Sequence, residues 1–121
     1  MRALILAASV CGLLLVAAGA VGAHVIAIEE SSSWDGALLY GFVHTLAAIG
    51  AAFAPLHGRL KLVAGWSFVA GVALFSGIQI GRLLAPGALD AIGVLVPVGG
   101  IAFMLGWVVL GVAALIARRP A

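Results

Sequence analysis

The sequence predicts an all-α membrane protein, a four-transmembrane-helix antiparallel bundle, and three observations carry that prediction. Its six basic and four acidic residues leave four uncharged stretches, 3–28, 36–58, 62–81 and 91–117, each longer than the ~18 apolar residues that mark a spanning helix. With 65% hydrophobic and 8% charged residues and a mean hydropathy of +1.33, a chain of 121 residues has no length left for a soluble domain, so residues 1–121 read as a single four-helix transmembrane domain. Hydrocarbon offers backbone amides no partner, so each span must satisfy its own hydrogen bonds as a helix.

The first helix is expected over about 4–25. Ala8, Gly12, Gly19 and Gly22 give it small residues on which another helix can pack closely. An acidic, Ser-rich loop from Glu29 to Ser33 comes next, and Trp34 stands where an interfacial aromatic belongs. The second helix covers about 36–54 and is stopped by Pro55. His57, Gly58, Arg59 and Lys61 form so short a turn that the second and third helices must be antiparallel neighbours. The third helix, about 60–84, carries Ala73, Gly77 and Gly81 as one small-residue packing row, and Pro86-Gly87 turns the chain. The fourth, about 89–117, is expected to kink at Pro97, Gly99 and Gly100.

Charge sets an expected orientation. Arg2, Arg59, Lys61, Arg118 and Arg119 fall on one side, whereas Glu29, Glu30, Asp35 and Asp90 fall on the other with Arg82. Under the positive-inside rule both termini are then cytoplasmic. The pI near 9.3 does not point to nucleic acid, because the bases sit at helix ends rather than on a continuous polar face. Residues 1–23 resemble a signal peptide, yet the apolar run is longer than a signal core and its removal would leave three spans with a displaced N-terminus. It is therefore read as retained. The single Cys11 supports no internal disulfide and reads as a small apolar filler.

Ionisable groups inside a span are the natural site hypotheses, and His24 and His44 qualify. His44 lies on the order of 12 Å below the start of its helix at ~1.5 Å per residue, whereas His24 sits near the end of the first. That stagger argues against two axial ligands on one haem iron, and no carboxylate or thiolate stands beside His44 to complete a metal site. His44 reads first as a neutral interhelical hydrogen-bonder. The functional version is a polar pocket of His24, Tyr40, His44, Ser76 and Gln79, bounded by the Pro97 segment and open to a small ligand or a proton. No catalytic residue is identified: the four carboxylates lie in loops and Ser31 to Ser33 have no nearby His in sequence.

Several segments together resemble a family of small bacterial inner-membrane proteins known as domain of unknown function 423, which has a mitochondrial relative called transmembrane protein 256. The matching pieces are Gly19-Ala20-Val21-Gly22-Ala23-His24, Tyr40 with His44-Thr45-Leu46-Ala47, Ala64-Gly65-Trp66 with Leu74-Phe75-Ser76-Gly77, and Pro97-Val98-Gly99-Gly100-Ile101-Ala102-Phe103 with Gly106-Trp107. They span nearly the whole chain in order. Val25, Gly41 and Val96 depart from the Gly, Gln and Thr usual in the family, removing polar or flexible groups near the pocket. The resemblance implies four helices and brings no activity with it.

The expected function is accordingly non-catalytic. The chain reads as a multi-pass accessory or structural component of a bacterial inner membrane, docking in the lipid bilayer on other inner-membrane proteins, such as a respiratory complex, or on itself as a homo-oligomer. No metal and no cofactor are called for. The alternatives are a homo-oligomeric transporter or channel with its path around His44 and Gln79, and haem or quinone binding.

Overall fold

A computed structural model describes residues 1–25, 32–56 and 58–117. Ser31, Glu29, Glu30, His57, Arg118 and Arg119, which entered the loop and charge reading, lie outside the described residues. The elements are α1 (Arg2–His24), α2 (Ser32–Phe53), α3 (Leu60–Gly71), a π-helical segment (Val72–Gly77), α4 (Ile78–Leu84) and α5 (Leu95–Ile116). Since α3, the π segment and α4 run on without a break, four helices are long and apolar enough to cross a membrane, and the described residues contain no strand.

Two helix starts differ from the sequence expectation. The helix α2 begins at Ser32 rather than Gly36, as the polar Ser32-Ser33 pair takes the first turn and brings Trp34 into a buried position. The helix α5 begins at Leu95 rather than Leu89, because residues Asp90–Ile92 form a 3₁₀ turn. Pro97 consequently falls in the first turn of α5, where its missing N–H has no partner to lose. The expected kink at Pro97, Gly99 and Gly100 is thus replaced by a helix start, and α5 continues without interruption to Ile116. At the other end of the bundle Pro55 does stop α2, and just past the helix end the Ala54 carbonyl accepts from the Lys61 ammonium at 2.8 Å and from the Leu56 N–H at 2.7 Å.

The core is built from small residues because association in lipid depends on close packing rather than on escape from water. Ala8, Ala37, Ala48, Ala51, Ala52 and Ala64 are all buried. One cluster, Leu4, Ala8, Ala48, Ala52, Ala64 and Phe68, fills the end of the bundle carrying the start of α1 and the end of α5. A second, with Leu15, Trp34, Ala37, Val72, Ile80 and Phe103, fills the opposite end. Leucines such as Leu13, Leu46 and Leu115 are exposed on the outside of the bundle, as apolar side chains that face lipid would be.

The closest helix approaches pair a glycine with a bulky neighbour. The indole of Trp34 lies over Gly22 and leaves no room for a Cβ, as expected of Gly22 in packing α1. Gly12 and Gly19 have looser neighbours, Thr45 at 3.7 Å and Leu38 at 3.9 Å from a Cβ position. Between α5 and the π segment the contact is backbone on backbone, with Gly99 against Leu74 and Phe75. Nearby, the Phe103 ring covers Gly71 and the Phe68 ring covers Gly106. The Ala73, Gly77 and Gly81 row is placed differently from its expected packing role. Ala73 and Gly77 are exposed, the nearest atom to a Cβ at Gly77 is the carbonyl of Val72 in its own helix, and Gly81 packs under Leu89. Ala73 and Gly77 themselves lie within the π segment, where bonding to the fifth residue inserts an extra residue in the turn.

Candidate functional site

The buried polar side chains among the described residues are His44, Thr45 and Ser76, and His44 and Ser76 are hydrogen-bonded across helices. His44 lies mid-way along α2, whose Tyr40 carbonyl one turn earlier is 2.7 Å from Nδ1. From α5 the Trp107 Nε1–H donates to His44 Nε2 at 3.1 Å. These two partners fix the imidazole. A carbonyl can only accept, so Nδ1 carries the proton; an indole can only donate, so Nε2 presents its lone pair. The ring is therefore neutral, with both nitrogens engaged, and it stacks on Phe103 at a centroid distance of 3.7 Å and an interplanar angle of 13°.

A parallel register of α2 and α5 produces this pairing. His44 and Trp107 are 63 residues apart in sequence, and Tyr40 stacks with Phe103 at the same offset. Each of His44 and Trp107 lies equally far past the start of its own helix, so their depths match. Sequence reasoning seeks His44's partners on the third helix and misses Trp107; the signal available is this equality of depth in the two spans that run the same way.

The expected polar cluster is only partly assembled. Tyr40 and His44 do lie together. Ser76, fully buried in the π segment, instead donates from Oγ to the Ala37 carbonyl at 2.6 Å, two turns from His44 along α2. The Gln79 side chain makes no hydrogen bond among the described residues, and His24 is exposed at the end of α1. Thr45 Oγ1 is buried and without a partner among the described residues. Near the start of α5, Arg82 and Asp90 form an exposed ion pair at 3.4 Å; such pairs contribute ~0–1 kcal/mol.

Around the imidazole is a cavity of about 560 Å³ between α2 and α5, whose walls include Tyr40, His44, Phe75, Pro97, Phe103 and Trp107. It holds the Pro97 segment of the expected pocket but not His24, Ser76 or Gln79. With both ring nitrogens of His44 occupied, the site has no free imidazole lone pair to give to an iron or another metal without breaking the Trp107 bond.

Four apolar helices around a buried, neutral, hydrogen-bonded histidine define a multi-pass integral membrane protein. Residues 18–100 match the family described as Protein of unknown function (DUF423), and the chain belongs to that family. It is similar to the UPF0382 inner membrane protein YgdD of Escherichia coli strain K12, 36% identical over 126 residues that cover 98% of this chain and 93% of that protein. The UPF0382 membrane protein YwdK of Bacillus subtilis is 32% identical over 123 residues, 94% of this chain and 97% of that protein. A fission-yeast relative, the UPF0382 membrane protein C1782.12c of Schizosaccharomyces pombe, is 32% identical over 108 residues, 83% of this chain and 91% of that protein. No solved structure matches.

Proposed function

We propose that the protein is a non-catalytic accessory component of a bacterial inner-membrane assembly, and that it receives a transmembrane helix of another membrane protein in the groove between α1 and the π segment. The observation that carries this reading is the open small-residue row. Ala73 and Gly77, which have the composition of a helix-packing face, are exposed and line an apolar cavity of about 450 Å³ together with Cys11, Ala17, Ala18 and Val21. Small residues on both banks allow an incoming backbone to approach closely, the condition under which helices associate in lipid. Both ring nitrogens of His44 and the hydroxyl proton of Ser76 are already engaged, which speaks against a proton relay through the monomer. The names of the Escherichia coli relatives support the inner membrane as the location.

Purification in a mild detergent or a lipid particle tests the proposal. A stoichiometric foreign subunit is expected, whereas a pure homo-oligomer with a water-filled pore and ion flux in liposomes would overturn it. Gly77→Ile sharpens the test, since the nearest atom to a Cβ there is the Val72 carbonyl of its own helix, at an ordinary contact distance of 3.6 Å. It is expected to abolish partner recovery while leaving monomer stability within ~0.5 kcal/mol. Loss of monomer stability instead would show that the row serves the chain's own fold.

The same reading places both termini in the cytoplasm, on the charge asymmetry of the loops. Alkaline phosphatase, active only outside the inner membrane, is expected to be silent when fused after Ala121. Activity of that fusion would reverse the orientation.

A further inference from the structure

We propose that the aromatic cavity between α2 and α5 binds the ring of a lipid-soluble quinone. The cavity shares no lining residue with the groove between α1 and the π segment, so this inference stands apart from the docking proposal. Its volume of about 560 Å³ falls within the ~300–1,000 Å³ of small-molecule sites.

The ligand class is set by three features of the walls. The route of entry comes first: Val43, Ile101 and Met104 line the cavity and are 45%, 51% and 62% exposed within spans. The mouth therefore faces acyl chains, and the ligand must dissolve in the bilayer. Shape and electronics come second. Tyr40, Phe75 and Phe103 stand with ring centroids 5.4–6.4 Å apart, and Trp107 closes the far end beside His44. Electron-rich rings present negative faces, which favour a flat electron-poor ring over an alkyl chain or the puckered rings of a sterol. Gly100 adds no side chain to the cavity, and a Cβ there would come no nearer than 3.9 Å to Phe75.

The third feature is the polar group available. His44 and Trp107 are engaged with each other, and no charged side chain lines the cavity. The Tyr40 hydroxyl, on a side chain 51% exposed at the mouth, makes no hydrogen bond among the described residues. It can donate one bond to a carbonyl. A flat, electron-poor ring carrying a carbonyl acceptor and an apolar tail is the quinone class. The proposal concerns binding, with Tyr40 as donor to the carbonyl and the tail lying along the lipid-facing surface.

Thermal unfolding of the purified protein in dodecyl maltoside, with decylubiquinone as the probe, provides the test. A saturable rise in the unfolding midpoint is expected, with no rise from decanol at the same concentration. Tyr40→Phe keeps the ring and removes the donor, so the apparent affinity is expected to weaken about three- to tenfold, the range for one hydrogen bond. Gly100→Leu projects into the cavity and is expected to abolish the saturable shift while helix content by circular dichroism stays unchanged. Equal shifts from decanol and decylubiquinone, or an undiminished shift in Gly100→Leu, would overturn the proposal. If Gly100→Leu does not fold, Tyr40→Phe decides: unchanged affinity refutes the proposal.

Discussion

Gly99→Val is expected to detach α5 from the π segment and to destabilise the protein by about 3 kcal/mol, the upper part of the range for overpacking a tight interior. The reason is the identity of the atoms in the way. A Cβ at Gly99 would run into the backbone of Leu74 and Phe75, and backbone cannot swing aside as the tip of a side chain can. The strain must be relieved by moving α5 bodily, which also separates Phe103 from Gly71 and Phe68 from Gly106. Gly111→Ala in the same helix is the control, because nothing lies within 4 Å of its Cβ position. Unfolding midpoints of the two variants in detergent check the expectation, and equal midpoints would mean that the α5 contact is looser than described.

Removing the acceptor at position 44 gives the second large effect. His44→Leu is expected to cost ~1–2 kcal/mol, since the Trp107 N–H is then left in an apolar setting without a partner. His44→Gln, which keeps an acceptor on a flexible stem, is expected to recover part of that loss. A double-mutant cycle with Trp107→Phe isolates the bond. Coupling of about 1 kcal/mol is expected, within the range measured between membrane helices. Strictly additive effects would show that the indole and the imidazole do not bond.

The four spans are legible in the sequence because lipid imposes one rule on every residue of a span, and the alternation of charged and uncharged stretches reports it directly. Hydropathy says nothing about rotation around a helix axis, and the differences between sequence and structure lie there. Ala73, Gly77 and Gly81 do form a small-residue row, but Ala73 and Gly77, inside the π segment Val72–Gly77, lie exposed along the groove beside α1 rather than packed within the chain. His44 is recognisable as a hydrogen-bonding group from its depth alone. Its partner is only half legible: equal depth in two spans running the same way nominates Trp107, but depth compares levels along the membrane normal and cannot tell which of the other spans lies beside α2. Gly99 stands out by composition, yet its role is not the one its neighbours suggest: next to a proline it implies a kink, whereas Pro97 merely opens α5 and Gly99 makes room for another backbone.

The proton held on His44 Nδ1 has a consequence for how the protein experiences an energised membrane. Among the described residues, the charged side chains of the four spans stand in a first or last turn: Arg2 opens α1, Asp35 lies in the first turn of α2, Lys61 in the first of α3 and Arg82 in the last of α4. Between those turns the imidazole is the side chain able to take up a positive charge, and its two partners keep it neutral. A membrane potential of 100 mV does ~2.3 kcal/mol of work on each elementary charge carried across it. Among the described residues it finds no charged side chain between the terminal turns of the spans, so the bundle is expected to keep the same shape whether the membrane is charged or discharged.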